Sequence, residues 1–416
     1  MKLLVFAHTP PPHHGQSYMV KLMMDGFGGD HRKSVKRGAS SPAKDFTNNF
    51  GVECYHINAR FSKTLEDIGE FHGWKMFLVF IYCLQAIWCR FRYGVTTFYY
   101  VPAPGKAVAV YRDWLVMLLC RPFFERIILH WHAAGLAKWL ETSVQIRSRA
   151  MTYRLFKPVT LSIVLSKYNL ADAKKLLSQQ IRVVNNGIPD PCPDFLETIL
   201  PRRRARFLAR KKLMAGEMIN DYESAKTGDA PQTVRVLYLA HCTREKGLFA
   251  AMEGIAVANR DLAARGSPLR MKLFVAGNFV TLEEHREFDR LIQTPEYAAA
   301  MEYLGFVSDA KKEHALRDAD LFCFPTHYLG ENQPVNLIEA MAFGLPTVTT
   351  QWRSLPEMFP PDYPGLIPGQ SPQEIADALF ILMTQNTGEQ LRGNFLNQFT
   401  LERHLFSLAE AIRSAE

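Results

Sequence analysis

The stretch GENQPVNLIEAMAFG, residues 330–344, combines two acidic residues with the pattern of a helix start. Glu331 and Glu339 stand eight positions apart, with Pro334 between them. Proline suits the first turn of a helix, because its missing N–H group would have no partner there. The residues from Val335 to Met341 have helical spacing, and the glycine that closes the stretch is a natural helix end. The local pattern therefore predicts a helix, but it does not explain why two acids are present.

Length and composition indicate a globular protein with two or more domains. The chain has 416 residues, of which 48% are hydrophobic and 22% are charged, and this length exceeds that of one ordinary core. Its seven cysteines are scattered without metal-binding spacing, which is typical of reduced thiols in a cytosolic protein. The apolar run at residues 3–7 is short and predicts a first strand rather than a signal peptide. We therefore expect a cytoplasmic protein.

Two features raise the question of a membrane surface. Residues 76–89 form a run of 14 mostly apolar residues, whereas a spanning helix needs about 20 residues. We therefore expect a buried or interfacial helix. Much of the net charge of +8 lies in residues 31–37 and 201–212. Such runs are usually solvated. Their functional alternative is peripheral contact with an anionic membrane, which we favour over nucleic acid because neither run belongs to an RNA- or DNA-reading motif.

Short apolar runs alternate with helical stretches in both halves of the chain, which predicts α/β domains with parallel sheets. The predicted strands lie at residues 3–7, 52–57, 96–101, 127–132, 161–166, 234–240, 271–277, 301–307, 320–326 and 346–350. Residues 29–48, rich in Gly, Ser, Lys and Asn, predict a flexible loop. We expect an N-terminal domain over 1–190, a connecting segment over 191–232, a C-terminal domain over 233–395 and a final helix over 396–416 that packs back on the first domain.

The carboxyl ends of the predicted strands in the second half carry groups suited to a nucleotide. Lys246 and Gly247 open a helix directly after the strand at 234–240. A helix N-terminus presents free N–H groups to phosphate, and a lysine adds a point charge. Beside such a site, the carboxylate of Glu339 can accept hydrogen bonds from a ribose diol. This combination favours a nucleotide diphosphate ligand.

The same residues resemble retaining glycosyltransferases of family 4. The resemblance rests on the Lys-Gly pair at 246–247, on LGFV at 304–307, on the E-x7-E motif within residues 319–350 and on residues 364–379. The first half matches only in outline, through Gly15, His132 and the sequence VVNNGIP at 183–189. The resemblance implies the GT-B fold, in which two doubly wound Rossmann-like domains face each other across a cleft.

The resemblance also implies roles for individual residues. Glu331 would lie near the transferred sugar, His132 would face that sugar, and Lys246 would hold the diphosphate. The remaining residues would bind the donor: Glu339 through its ribose, Gly15 and the backbone around Asn332, Pro334, Val335 and Asn336 near its phosphates, and Phe306 and Val307 through main-chain contacts to its base.

The chain departs from the family pattern at two places in the second half. His241 stands where the family usually has an arginine, five residues before Lys246. Arg244 is nearby in the sequence and could compensate, so both residues are candidates for donor binding. Arg353 and Ser354 replace a Gly-Gly pair. The sequence leaves open whether Arg353 closes that part of the pocket or reaches an anion.

The preferred hypothesis is a retaining transfer of a sugar from a nucleotide diphosphate donor to a glycan, lipid-linked or small-molecule acceptor, without a metal or other cofactor. His130 and His132 are predicted to point to one side of a strand, as zinc ligands can, but no third ligand is evident. His132 is preferred as an active-site residue, and His130 is the fallback. One alternative is a glycoside hydrolase that uses Glu331 and Glu339. Another is a non-catalytic binding protein with a GT-B-like fold.

Overall fold

The computed structural model describes residues 1–11, 14–34, 50–61, 73–102, 105–220, 226–227, 231–385 and 387–416. The chain divides into two compact units. The first comprises Met1–Ile188, Leu329–Gln333 and Phe399–Glu416, and the second comprises Pro189–Tyr328 and Pro334–Gln398. Each unit is built on one six-stranded sheet.

The first unit has a parallel sheet in the order β2-β1-β3-β4-β5-β6. Its strands are β1 (Lys2–Ala7), β2 (Glu53–Asn58), β3 (Thr97–Tyr100), β4 (Arg126–Trp131), β5 (Val159–Val164) and β6 (Ser178–Val183). Its helices are α1 (Gly15–Gly26), α2 (His31–Ser34), α3 (Gly73–Tyr93), α4 (Ala107–Cys120), α5 (Leu136–Thr142), α6 (Ile146–Phe156), α7 (Leu170–Lys175) and the last helix of the chain, α16 (Leu401–Arg413). A 3-10 turn, Arg121–Phe123, follows α4.

The first sheet is covered on both faces, which explains why β1 is a continuous apolar run rather than an alternating one. Helices α3 and α4 contribute to the core on one face, and α1 and α16 to the core on the other. A Cβ atom at Gly26 of α1 would lie 2.3 Å from Leu405 Cδ1 of α16, so the two helices approach as closely as glycine allows. The C-terminal helix is therefore part of the core of the first unit.

The second unit has a parallel sheet in the order β12-β11-β10-β7-β8-β9. Its strands are β7 (Thr233–Leu239), β8 (Arg270–Ala276), β9 (Met301–Gly305), β10 (Leu321–Phe324), β11 (Thr347–Thr350) and β12 (Leu366–Ile367). Its helices are α8 (Leu200–Met214), α9 (Leu248–Ala264), α10 (Leu282–Leu291), α11 (Pro295–Ala298), α12 (Asp309–Asp318), α13 (Val335–Ala342), α14 (Pro372–Thr384) and α15 (Gly388–Gln398). A π-helical turn, Phe195–Ile199, precedes α8, and a 3-10 turn, Leu355–Met358, follows β11.

The structure confirms the predicted α/β class with two parallel sheets, and all ten predicted strands are present. The sequence did not predict β6 or β12. Strand β6 has the sequence SQQIRV and is half-exposed at the sheet edge, so it lacks an apolar run, and β12 has only two residues. Within the predicted loop at 29–48, His31–Ser34 is helical, and residues 35–48 lie outside the described residues.

The basic run at 201–212 is a structural element rather than a solvated face, so that interpretation of the sequence is wrong. The run lies in α8, where Arg206 and Arg210 are only 3% and 5% exposed. Their guanidinium groups lie 3.2 Å and 2.5 Å from the carboxylate of Asp320. Burial would raise the pKa of Asp320, but the two arginines and their hydrogen bonds hold that pKa below its usual range. The charges of α8 thus neutralise a buried carboxylate.

Candidate functional site

Helix α13 begins at the carboxyl end of β7. The side-chain amide of Asn336 donates to the carbonyl of Leu239, the last residue of β7, at 2.7 Å. Its oxygen accepts from the N–H of Leu337 at 2.9 Å. Pro334, predicted in the first turn, instead occupies the N-cap position with φ −67° and ψ 130°. The N–H groups of Val335 and Asn336 are the first of the helix, and helix geometry gives them no intrahelical acceptor.

Lys246 lies in the turn between β7 and α9, against residues that follow β10. Its ammonium nitrogen is 4.3 Å from the ring centroid of Tyr328 and 5.7 Å from that of Phe324. Gly247 has φ +86°, and a Cβ atom there would lie 2.2 Å from the carbonyl oxygen of Pro325. Only glycine fits this turn without strain, because it tolerates both the left-handed backbone and the close approach. The predicted Lys-Gly turn is therefore fixed at the carboxyl edge of the second sheet.

Glu339 forms an ion pair that the sequence did not predict. It lies on α13 with 8% of its surface exposed, and its Oε1 accepts from Lys312 Nζ at 2.5 Å. Lys312 belongs to α12 and stands 27 residues before Glu339, so only the tertiary fold brings the two side chains together. A buried carboxylate needs such a partner, and the ion pair leaves the second carboxylate oxygen for another donor.

Arg244 already has a carboxylate partner. Its guanidinium donates to both carboxylate oxygens of Glu287 at 2.6 Å and 2.8 Å. Its backbone N–H donates to the carboxylate of Glu284 at 2.7 Å. The hydrogen bond from Arg244 to Glu287 raises the pKa of the arginine. His241 accepts at its backbone carbonyl from the hydroxyl of Tyr238 at 2.8 Å. A phosphate bound by Arg244 would therefore have to compete with Glu287.

Phe306 and Val307 follow β9, which lies two strands from β7 in the sheet. Gly305 ends the strand with φ +68°. Phe306 is 58% exposed, whereas Val307 is buried. This leaves the Phe306 ring open to solvent at the carboxyl edge of the sheet.

Arg353, which replaces the first residue of the family's Gly-Gly pair, has φ +52°. This left-handed conformation suits glycine and is uncommon for other residues. Its guanidinium carbon lies 5.5 Å from the centroid of the Trp352 ring, and the Trp352 indole donates to the carbonyl of Tyr328 at 2.9 Å. The backbone geometry expected of glycine is thus kept although an arginine occupies the position.

In the first unit, His132 lies directly after β4, whereas the sequence predicted it as the last residue of that strand. Burial, followed by the charges of His404 and His14, lowers the pKa of His132 to about 3. Its Nε2 is buried and makes no hydrogen bond to the described part of the chain. His130 is fully buried, and its Nδ1 bonds to the hydroxyl of Tyr99. At neutral pH His132 is therefore an uncharged imidazole that can donate or accept a hydrogen bond.

Gly15 is the first residue of α1. His14, just before it, contacts the side chain of His8. His14 caps the helix: its Nδ1 accepts from the N–H of Ser17 at 3.4 Å, and its N–H donates to Ser17 Oγ at 3.2 Å. Its Nε2 lies 2.8 Å from His8 Nε2, so one imidazole donates to the other. Burial and the charge of His14 lower the pKa of His8 to about 4. Sequence reasoning did not single out this contact.

Residues 331–333 belong to the first unit and are buried there. Gln333 donates to the carbonyl of Leu165 at 2.7 Å and accepts from the N–H of Asn186 at 2.8 Å. Asn332 Oδ1 accepts from Ser166 Oγ at 3.2 Å. The sequence missed Gln333, although its position beside Asn332 and the polar VVNNG segment could have suggested pairing. These contacts fasten the predicted Glu331 loop to the strand ends of the first unit.

Asn169 connects this loop with the segment that follows His132. Its Oδ1 accepts from Ser166 Oγ at 3.2 Å, and its amide donates to the carbonyl of Ala133 at 3.5 Å and to Asp172 at 3.1 Å. Asp172 in turn accepts from the backbone of Gly135 and Ala137 at 3.0 Å and 2.6 Å. The first unit therefore brings together the neighbourhoods of Asn332 and His132.

The predicted site residues thus fall into two groups. Gly15, His132, Glu331 and Asn332 belong to the first unit, whereas Pro334, Val335, Asn336, Glu339, His241, Arg244, Lys246, Phe306 and Val307 belong to the second. Within the described ranges, no three His, Cys, Asp or Glu side chains are grouped so that they could hold a metal ion.

Parts of this chain are similar to known glycosyltransferases. Residues 221–397 match the family described as "Glycosyl transferases group 1". Over 221 residues the chain is 29% identical to the putative colanic acid biosynthesis glycosyltransferase WcaL of Escherichia coli, covering 49% of this chain and 52% of that protein. The chain thus spans about half the length of this relative. Over 322 residues it is 25% identical to the phosphatidyl-myo-inositol mannosyltransferase of Mycolicibacterium smegmatis, covering 74% of this chain and 77% of that protein.

Solved structures resemble the whole chain. Anabaena HepE in complex with UDP and glucose matches with a TM-score of 0.60 at 14% identity, covering 100% of both chains. Sucrose-phosphate synthase from Thermosynechococcus elongatus matches with a TM-score of 0.65 at 15% identity, covering 100% of this chain and 99% of the other. The two sheets therefore have the GT-B fold, and residues 221–397 resemble a group 1 glycosyltransferase domain.

Proposed function

We propose that the protein is a retaining glycosyltransferase of family 4. It would move a sugar from a nucleotide diphosphate donor to a glycan or lipid-linked acceptor. The observation that carries this proposal is the hydrogen bond from Asn336 to Leu239, because it joins the open N–H groups of α13 to the strand that leads into Lys246. A helix start and a lysine at the carboxyl edge of a parallel sheet suit a diphosphate.

The second unit would bind the donor and stabilise the leaving group. Negative charge grows on the diphosphate as the bond to the sugar breaks. Lys246 and the N–H groups of Val335 and Asn336 would stabilise that charge as it develops. Glu339 would accept a hydrogen bond from the ribose through the oxygen not held by Lys312. The exposed Phe306 and the backbone of Val307 would contact the base.

The first unit would contribute to the sugar and the acceptor. His132, uncharged at neutral pH, would hydrogen-bond a sugar hydroxyl rather than supply a charge. Glu331 would lie near the transfer site, and the glycine at position 15 would let the start of α1 approach the phosphates. The acceptor would attack from the face that the diphosphate leaves, and a leaving phosphate oxygen would take its proton.

We propose that the reaction needs no metal, since Lys246 and the helix start would neutralise the charge that a divalent cation neutralises in other transferases. Two relatives support a glycan or lipid-linked acceptor, because their names place them in colanic acid and phosphatidyl-myo-inositol chemistry. A lipid-linked acceptor would bring the protein into peripheral contact with a membrane.

The test is to incubate the protein with UDP-, GDP- and ADP-sugars, with and without lipid-linked glycan acceptors, and to follow the release of nucleoside diphosphate. We expect acceptor-dependent release that persists with a chelator, and a product that keeps the anomeric configuration of the donor by nuclear magnetic resonance. Hydrolysis of an unactivated glycoside without nucleotide release would instead indicate a glycoside hydrolase.

A further inference from the structure

Helix α3 presents a row of large apolar side chains to solvent. Six of its residues are between 44% and 69% exposed: Trp74, Phe77, Phe80, Leu84, Trp88 and Phe91, called here the apolar stripe. They follow one another at spacings of three or four, so they share one side of the helix. A contiguous exposed surface of this kind is rare in monomeric soluble proteins and marks an interaction site.

The opposite side of α3 belongs to the core of the first unit. Val79, Cys83, Ala86 and Cys89 are buried and pack in the cluster that covers one face of the first sheet. Among the described residues, Trp74–Tyr93 is the one helix long and apolar enough to cross a membrane. Because its inner side is packed on the sheet, a transmembrane orientation would expose that core. The helix therefore lies on the protein with the stripe outward.

The apolar surface continues onto neighbouring helices. Helix α4 packs between α3 and α6, and its Tyr111 and Leu118 are at least half-exposed. The ring of Phe91 in the stripe lies 6.0 Å from that of Phe123, in the turn after α4. Ile146 and Met151 of α6 are also exposed. The surface is therefore wider than one helix face.

Basic side chains predominate on the helices of this surface, although the exposed Glu125, just after the turn that follows α4, pairs with Arg90 at 3.3 Å. Helices α3, α4 and α6, with the turn after α4, carry these basic side chains: Lys75, Arg90, Arg92, Arg112, Arg121, Arg147, Arg149 and Arg154. Their sequences contain one acidic residue, Asp113. Asp113 is 1% exposed, and its Oδ1 accepts hydrogen bonds from the hydroxyl of Tyr100 at 2.6 Å and from the guanidinium of Arg112 at 2.8 Å.

We propose that the apolar stripe and its basic surroundings dock in the interface of an anionic lipid bilayer. Amphipathic helices with Trp, Phe and Leu on one side and basic residues beside them lie parallel to the membrane plane, at the boundary between headgroups and acyl chains. Anionic headgroups attract the flanking arginines. The inference extends the proposed function, since a lipid-linked acceptor lies in such a membrane. It does not depend on the donor site.

A second copy of the chain is a poorer occupant of this surface than a bilayer. In a symmetric dimer, the basic residues of one copy would face the same basic residues of the other copy. Like charges at an interface oppose association. An anionic bilayer supplies the opposite charge together with an apolar layer for the two tryptophans.

The experiment measures binding of the full chain to vesicles of phosphatidylglycerol and phosphatidylcholine, and to vesicles of phosphatidylcholine alone, by sedimentation. The test variant is Phe77→Ser/Leu84→Ser/Trp88→Ser. The matched control is Leu196→Ser/Leu208→Ser/Leu282→Ser, which removes three exposed apolar side chains from the second unit. We expect the parent and the control to bind the anionic vesicles, and the test variant to bind more weakly by a factor of at least about ten.

A charge variant, Arg92→Glu/Arg147→Glu/Arg154→Glu, should also lose binding to the anionic vesicles, by about tenfold or more. Alkaline carbonate should release the parent protein. The inference would be overturned if the parent did not bind anionic vesicles, or if the test variant and the control bound them equally well. It would also be overturned if alkaline carbonate failed to release the parent from the vesicles, as it fails to release a membrane-spanning protein. It would also be overturned if the stripe variant merely changed a dimer into a monomer.

A second measurement does not depend on the folding of the serine variant. Brominated lipids quench tryptophans that enter the bilayer interface, so they should quench the parent protein. They should quench the conservative variant Trp74→Phe/Trp88→Phe much less. Equal quenching of both proteins would contradict the proposal. Neither assay includes a donor sugar, so failure here would leave the proposed transferase activity standing.

Discussion

Lys312 Nζ lies 2.5 Å from Glu339 Oε1, and this ion pair joins α12 to α13 in the second unit. The ion pair orients the carboxylate and occupies one of its oxygens. Glu339 is therefore held in place by the protein before any ligand arrives. A side chain that is already ordered loses little conformational entropy when it binds a ligand.

We expect Lys312→Met to weaken nucleoside diphosphate binding about three- to tenfold, because Glu339 would lose the charge that holds its position. Calorimetric titration with nucleoside diphosphates measures this effect. The control is Lys311→Met, which removes the adjacent, exposed lysine. Equal affinity of both variants would show that Lys312 does not position Glu339.

If Lys246 holds the diphosphate as proposed, Lys246→Ala should lower both donor affinity and turnover, because the charge on the leaving diphosphate grows in the transition state. We expect a loss in kcat/KM of about a hundredfold or more. Arg244→Ala should have a much smaller effect, because Glu287 already binds that guanidinium. Steady-state kinetics of both variants test this contrast, and an Arg244 effect as large as that of Lys246 would contradict it.

How far the sequence predicts this protein depends on whether the signal is local. All strands except β6 and β12 are visible in the sequence as apolar runs, and the start of α13 is visible from its helix-start residues, since local periodicity reports burial. Strand β6 is polar and at an edge, so it gives no such signal.

The contacts that the sequence missed are tertiary. Lys312 and Glu339 are 27 residues apart, and Arg210 and Asp320 are 110 residues apart. No pattern in one sequence shows that α8 packs where its arginines meet Asp320. Likewise, the contact between His8 and His14 became recognisable only when the fold placed the two side chains together.

The buried charges of α8 give a stability prediction. Asp320→Ala should destabilise the protein by about 3–5 kcal/mol, because it would leave the buried Arg210 without its carboxylate and Arg206 with only the more distant Asp318, at 3.5 Å. Arg204→Ala, which removes an exposed ion pair with Glu389, should cost under about 1 kcal/mol. Urea unfolding followed by circular dichroism distinguishes the two. Similar losses for both variants would contradict the assigned role of α8.

The stability of the first unit should depend on pH through His404. This residue of α16 is 3% exposed, its Nδ1 donates to the carbonyl of Asn185 at 2.6 Å, and burial lowers its pKa to about 4. The unfolded state therefore binds the proton more readily, so stability should fall as pH drops from about 6.5 towards 4, and should not change through this group above 6.5.

The size of this effect is about 3 kcal/mol between pH 7.5 and pH 4. Urea unfolding at these two pH values measures it, and His404→Gln is the matched variant, since glutamine can still donate to Asn185 but does not titrate. The variant should lose less stability on acidification than the parent. An identical pH dependence of both proteins would show that His404 does not contribute.

We propose that Glu339 binds the nucleotide whereas Glu331 serves the sugar and transfer site. Calorimetric titration of free UDP, GDP and ADP into the parent, Glu339→Gln and Glu331→Gln tests it most directly, with melting temperatures close to that of the parent as the control for folding. For the nucleotide that the parent binds, Glu339→Gln should raise the dissociation constant about tenfold, because the ribose loses a charge-assisted hydrogen bond. Glu331→Gln should leave that constant nearly unchanged while lowering kcat with the sugar donor. Absence of binding by the parent to any of the three nucleotides, or equal weakening by both substitutions, would contradict the account.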